Sequence, residues 1–227
     1  MNFQIAIDGP SGTGKSTAAK LVSQRLGFTY IDTGAMYRAF GLFALNQGVD
    51  PADEAAVGQI IPMVNIGIER DDNGNQHVIL NGSDVTSQLR TQEVGEAASV
   101  VSVHGAVRTK LTALQRELAQ SANVIMDGRD ICSYVLPNAD IKIYMDADSR
   151  IRAERRVSEL RLLNQPADFD TVKKEIEKRD ERDKGRKILP LIKTDDSIVI
   201  DTGDLTIDEM VNTIINLYNN KKHGGLK

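Results

Sequence analysis

Five short apolar runs punctuate the chain: "FQIAI" (3–7), "FTYI" (28–31), "NVIMD" (123–127), "IKIYM" (141–145) and "SIVID" (197–201). The segments between them mostly carry helical periodicity, an alternation that predicts an α/β fold with a five-stranded parallel sheet and crossover helices. The first, third and fourth runs are apolar without alternation, as strands covered on both faces require. One stretch breaks this rhythm. From Val64 to Val85 apolar and polar positions alternate on either side of "DDNGN", which predicts a small antiparallel insert with a hairpin turn. Helical pattern then runs from Thr91 to Ser121, and again from Ser149 to Lys187, where "LNQPADFD" interrupts it with a turn and a new N-cap. No repeat, low-complexity tract or linker divides the chain, and the final "KKHGGLK" is expected to fray.

The first run leads into "IDGPSGTGKST", Ile7 to Thr17. Gly9, four residues, Gly14, Lys15 and Ser16 fit the spacing of a phosphate-binding P-loop between a strand and a helix. Gly9, Gly12 and Gly14 let the backbone turn its N–H groups inward as an anion nest. Lys15 adds a point charge, and Ser16 offers a hydroxyl to Mg²⁺. Gly9, Pro10, Ser11, Gly12, Thr13, Gly14, Lys15, Ser16 and Thr17 are therefore the candidate nucleotide cradle. Asp8, Asp32, Asp127 and Asp146 fall at strand C-terminal ends, where α/β folds gather functional groups and where carboxylates also cap helices.

Composition changes this picture in two ways. Among 227 residues there is one cysteine, Cys132, which excludes an internal disulfide and a cysteine-built zinc site. His77, His104 and His223 are too scattered to suggest metal ligation, leaving nucleotide-borne Mg²⁺ as the expected metal. A net charge of −4 argues against a nucleic-acid partner. No apolar run is long enough to span a membrane, and the N-terminal run is too short for a signal peptide, so a cytoplasmic location and no membrane partner are expected. Positive charge is nevertheless concentrated: 13 of the 28 Lys and Arg residues lie between Arg150 and Lys187, against 9 Asp and Glu.

Three further stretches carry candidate chemistry. "DTGAMYR" places Thr33 at a tight turn with Tyr37 and Arg38 on the first turns of a helix, suited to an oxygen-rich ligand or, equally, to a cap and a surface arginine. "DGRD" puts Arg129 and Asp130 just past the third strand, as a phosphate fork and a carboxylate or as a structural ion pair. In "RDERDKGR", Arg179, Asp183 and Arg186 are spaced for one helix face, and Arg152, Arg155 and Arg156 form a second ladder across the turn. Two arginine-bearing helices over a P-loop suit phosphoryl transfer between nucleotides, with cations for both phosphate chains and a cover against water. A phosphate acceptor is already ionised and needs no general base, so arginines without an insistent base favour a nucleoside monophosphate over an alcohol.

These motifs together resemble bacterial cytidylate kinase, a family of P-loop nucleoside monophosphate kinases: "IAIDGPSGTGKST", "DTGAMYRA", "TQEVGEAAS" leading to Arg108, "DGRDI", "AERR", and "RDERDKGR" followed by "PL". The resemblance runs nearly end to end. It implies a P-loop core over 1–36, 122–149 and 188–227, a monophosphate-binding region over 37–121 with its β insert near 64–90, and a mobile helical lid over 150–187. It further implies ATP and Mg²⁺ as donor and metal, CMP and dCMP as small-molecule acceptors, and a monomer. Thr33, Arg38, Arg129 and Asp130 would contact the monophosphate or its sugar. Ser99, Arg108 and Asp183 would lie at the cytosine, and Arg179 and Arg186 at phosphates. Arg155 would lie on the ATP side, with Lys15 and Ser16 at the β/γ-phosphates. Lys15, Arg129, Arg179 and Arg186 are the implied catalytic set. The chain departs from the pattern after "GRDI": Cys132 and Ser133 stand where Gly and Thr are common, so the turn is expected to differ there.

Overall fold

The computed structural model describes residues 2–71, 76–162 and 164–224. The five apolar runs form strands β1 (Gln4–Asp8), β2 (Thr29–Asp32), β6 (Val124–Gly128), β7 (Ile141–Asp146) and β8 (Ile198–Asp201), in the sheet order β2-β6-β1-β7-β8. Parallel pairing of β1 with β6 and β7, and of β7 with β8, brings the C-terminal ends of these strands to one edge. Each strand ends one residue beyond its apolar run or, for β8, with it. A terminal Asp or Gly continues the backbone pairing after the hydrophobic demand has ceased.

Two helices, α1 (Lys15–Leu26) and α8 (Ile207–Lys222), cover one face of this sheet. Ala18, Ala19 and Val22 of α1 and Met210, Val211, Ile214 and Tyr218 of α8 pack on Ile5, Ile7, Ile125, Ile143 and Met145. Phe3, Phe28 and Tyr218 close one end of that core as an aromatic trio with edge contacts at 5.0 and 5.4 Å. The charged stretch after β7 forms α6 (Ser149–Leu162) and α7 (Phe169–Lys184), started by the Asp168 cap and joined by a small apolar seam of Ala153, Val157, Leu160, Val172 and Ile176.

Residues 31–121 form a second compact unit, the first being 1–30 with 122–227. The second unit contains α2 (Thr33–Asn46), α3 (Glu54–Ile60), the antiparallel strands β3 (Ile66–Arg70), β4 (Gln76–Leu80) and β5 (Ser83–Asp84), then α4 (Gln92–Val101) and α5 (Gly105–Leu118). The antiparallel insert is as expected, with β5 a third, very short strand; the "DDNGN" turn falls largely on 72–75, outside the described residues. The helical pattern from Thr91 is broken at 102–104, where the Ser102 hydroxyl donates to the Ser99 carbonyl and a new helix starts at Gly105. At the chain end α8 runs to Lys222, so the first two residues of "KKHGGLK" are helical and its last three lie outside the described residues.

Gly41 sets how closely α2 and α4 approach. A Cβ built there would stand 2.8 Å from the Ala98 amide nitrogen, so backbone meets backbone. Gly58, on the exposed side of α3, has nothing within 4 Å of the same atom. Gly41→Ala is expected to destabilise by about 1–3 kcal/mol through overpacking, and Gly58→Ala to stabilise by about 0.5–1 kcal/mol through chain entropy, both read from urea unfolding midpoints.

Candidate active site

The P-loop is built by close approach. Gly9 leaves β1 at φ 147°, and a Cβ there would lie 2.0 Å from the Met145 carbonyl oxygen of β7, so no side chain fits. Gly12 and Gly14 take left-handed φ values of 80° and 86°. Helices α2, α4, α7 and α8 each receive a side-chain cap, from Asp32, Thr91, Asp168 and Thr206, whereas α1 starts at Lys15 with none. The N–H groups of its first turn are therefore open to an anion, as phosphate binding requires. Lys15 is buried, and its ammonium donates to the Pro10 carbonyl and, at 3.2 Å, to the Thr13 hydroxyl. Burial and the neighbouring Arg129 and Arg179 pull its pKa well below the ordinary lysine value, against Asp127 and Asp8. A phosphate chain would relieve that cost by placing negative charge beside the ammonium. Ser16 and Tyr30 both donate to Asp127, at 2.7 and 2.8 Å.

Past β6 and across α7 lies a cluster of cations organised by carboxylates. Asp183 is 1% exposed and accepts from Arg129 Nε at 2.8 Å through one oxygen and from Arg186 through the other. Burial alone would raise the Asp183 carboxyl, but Arg129, Arg186 and Arg179 outweigh it and hold the group below its ordinary value. Arg186 is not on the helix face with Arg179 and Asp183, as its spacing suggested. α7 ends at Lys184 and Gly185 caps it, because a Cβ at 185 would meet the Glu181 carbonyl oxygen at 2.9 Å. The turn returns Arg186 to Asp183 nonetheless.

The second ladder diverges. Arg152 is buried, with its three guanidinium nitrogens engaged by the Ala147 carbonyl (2.9 Å), the Ser11 carbonyl of the P-loop (3.0 Å) and Asp180 (2.7 Å). Arg155 turns toward β8 and donates to Thr202 and to the Gly203 carbonyl. Arg156 pairs with Glu159 on the exposed side. Sequence spacing marked Arg152 as a cation for phosphate, but its donors are committed to protein oxygens.

In the 31–121 unit, Asp32 caps α2 through the Ala35 N–H and pairs with Arg38 at 2.7 Å, while Thr33 is buried in the first turn. The Asp32 N–H is held by the Gln76 side chain of β4, a link with no signal in the sequence. Ser99 is buried on α4. Arg108, 1% exposed, reaches back from α5 to the Ser102 carbonyl at 3.1 Å with its guanidinium 5.5 Å from the Tyr37 ring centre. Ser99, Arg108 and Arg38 thus belong to one unit, and Arg129, Asp130, Arg179, Asp183 and Arg186 to the other.

The cytidylate kinase family model matches residues 5–220. The chain belongs to the cytidylate kinase family. A cytidylate kinase of Shouchella clausii is 46% identical over 97% of both chains, and one of Geobacillus sp. WCH70 is 46% identical over 97% of this chain and 98% of its own. An uncharacterized protein from Eubacterium ventriosum of solved structure shares the fold, with a TM-score of 0.51 at 15% identity over 97% and 99% of the two chains. Membership makes the chain an ATP-dependent nucleoside monophosphate kinase, and no described helix is long and apolar enough to cross a membrane.

Where this cytidylate kinase family member departs from the common Gly-Thr, the loop closes without a glycine. Cys132 sits in a single π-helical turn, Ile131–Val135, and positive φ among described non-glycine residues is confined to Asn81, Asn164 and Leu189. The Asp8 carboxylate accepts from the Ile131 and Cys132 N–H groups at 2.9 and 2.7 Å, clamping the segment that follows Arg129 and Asp130. The Cys132 thiol points at the Ala6 and Ile143 carbonyls, and burial pushes it far above the ordinary thiol value, so it is a packed residue and no nucleophile. Asp8 was visible in the sequence as a strand-end carboxylate; its role as a clamp was not.

Burial, with the nearby Asp130 charge, raises the Asp8 carboxyl to about 7, against the two N–H donors. A carboxyl whose pKa is higher folded than unfolded binds more protons in the folded state, so its contribution to stability is lost as pH rises from its unfolded value through about 7. Wild type should therefore lose unfolding free energy relative to Asp8→Asn between pH 5 and pH 8. Parallel urea curves for the two proteins check this, since other titrating groups cancel in the difference.

Proposed function

We propose that the enzyme transfers the γ-phosphoryl group of ATP to CMP or dCMP, giving ADP and CDP or dCDP. The observation that carries this reading is the family match over residues 5–220, on a chain whose P-loop helix is left uncapped beside a buried arginine cluster. In this reading the loop Gly9–Thr17 cradles the donor phosphates, with Lys15 at the charge that develops on the transferred group and Arg155 on the ATP side beside the turn after β8. Thr33, Arg38, Arg129 and Asp130 hold the acceptor phosphate and sugar, Arg179 and Arg186 neutralise the approaching phosphates, and Ser99, Arg108 and Asp183 read the cytosine. The 150–187 hairpin acts as the lid and 37–121 as the monophosphate-binding region. The oxygen donors Ser16 and Asp127, bonded at 2.7 Å, fit a hard cation, so Ser16 would hold nucleotide-borne Mg²⁺ with Asp127 behind it, and the ion would supply charge neutralisation. No general base is required, because the attacking phosphate oxygen is already ionised at neutral pH.

Coupled measurement of ADP formation with CMP, dCMP, UMP, AMP, GMP and shikimate tests the substrate. Rapid turnover is expected with CMP and dCMP alone, and equal or faster turnover of AMP or GMP overturns the reading. Cytosine presents an amine donor where uracil presents a carbonyl acceptor, and an ionised Asp183 favours the first. Asp183→Asn also releases Arg129 and Arg186 from their shared anion. It should lower kcat/KM for CMP by about 100-fold or more and narrow the CMP/UMP ratio by about tenfold, roughly 1.4 kcal/mol. Equal loss for both substrates would assign Asp183 to holding the arginines alone.

A further inference from the structure

We propose that Arg152 and Asp180 are positioning residues that tie the state of the P-loop to the arginine-bearing face of α7, so that nucleotide in the loop is sensed by the helix that meets the acceptor. The part of this concerning the acceptor rests on the functional reading above. The geometry is continuous: Arg152 donates to the carbonyl of Ser11 in the P-loop, to the Ala147 carbonyl ahead of its own helix, and to Asp180 on α7. Asp180 adjoins Arg179 and stands three residues before Asp183, which in turn holds Arg129 and Arg186. A second contact runs beside the first. A Cβ on Gly12 would stand 3.1 Å from the Arg152 Cβ, so the tip of the P-loop lies directly against α6 at that residue.

Two physical facts make this link consequential. Both partners of the pair are buried, so the attraction is weakly screened and removing one partner leaves the other charge uncompensated. The planar guanidinium also holds its donor directions rigidly in one plane, whereas the three donors of an ammonium rotate about a single bond. A shift of the Ser11 carbonyl when phosphate enters the nest must therefore move Arg152 or break a bond, and Asp180 follows Arg152. Besides this pair and the five-residue apolar seam, the described polar contact between α6 and α7 is a part-buried bond from the Ser149 hydroxyl to Glu177 at 3.0 Å, so few directional bonds oppose such a slide.

Hydrogen exchange of α7 peptides, measured with and without a non-hydrolysable ATP analogue and Mg²⁺, tests the coupling. In wild type the analogue alone should slow exchange over 169–184 by about fivefold or more. In Asp180→Asn the analogue should still bind within about threefold of wild type, but the slowing should vanish. KM for CMP should then rise by about tenfold or more while KM for ATP stays within about threefold. Should Asp180→Asn fail to fold, Arg152→Lys, which keeps the charge but reaches fewer acceptors, is read the same way. Absence of slowing in wild type, full slowing in the variant, or a fall in Tm with both KM values unchanged would each overturn the proposal. A wild-type enzyme whose α7 responds to the analogue but which does not phosphorylate CMP would overturn the substrate assignment and leave the coupling standing.

Discussion

Cations can be kept close together in a folded chain only if anions stand among them. Here that condition is met by four carboxylates in the sheet unit. Asp183 separates Arg129 from Arg186, Asp180 answers Arg152, Asp127 receives Ser16 and lies near Lys15, and Asp8 clamps the segment after Arg129. At few-ångström separations the repulsion of an uncompensated pair is about 4 kcal/mol, a large fraction of the stability of a typical domain. The buried arginines of this unit therefore depend on this alternation of sign.

The alternation also explains why the arginine-rich hairpin is ordered. Its apolar seam is small, and most of its charged side chains are solvated, an arrangement that contributes little by itself. What fixes it is the small set of buried ions at its inner edge. Arg152 is held at three points, and the backbone beyond α7 returns so that the Leu191 N–H meets the Asp183 carbonyl at 2.8 Å. An element ordered by few, directional bonds can be rearranged by exchanging few partners.

Much of this was legible in the sequence. Apolar runs located all five core strands, most plainly β1, β6 and β7, because a strand covered on both faces has no polar position to confuse the pattern, and the P-loop was legible because its glycines answer to steric contacts such as that of Gly9 with Met145. The roles of individual arginines were not. Spacing placed Arg152, Arg155 and Arg156 in one group, but a helix separates neighbouring residues by about 100° and only burial decides which of them points inward. A signal existed: Val172, Ile176 and Asp180 recur every fourth residue, so Asp180 continues an apolar stripe and had to find a buried cation. Arg186 was misplaced for a local reason, since Gly185 ends the helix that the spacing assumed. Gln76, through one hydrogen bond, and the Asp8 clamp, through two, join residues distant in sequence, and such bonds leave no periodic trace.

The burial of Cys132 has a chemical corollary. Its thiol lies between two main-chain carbonyls at 3.5 Å with its ionisation suppressed, and the sequence holds no second cysteine. Oxidants and electrophiles act on thiolates, so the folded chain offers them a poor target at Cys132. The same silence makes the native chain a clean background for thiol-directed labels: a cysteine introduced on α7 would be the sole site at which a maleimide dye or spin label attaches.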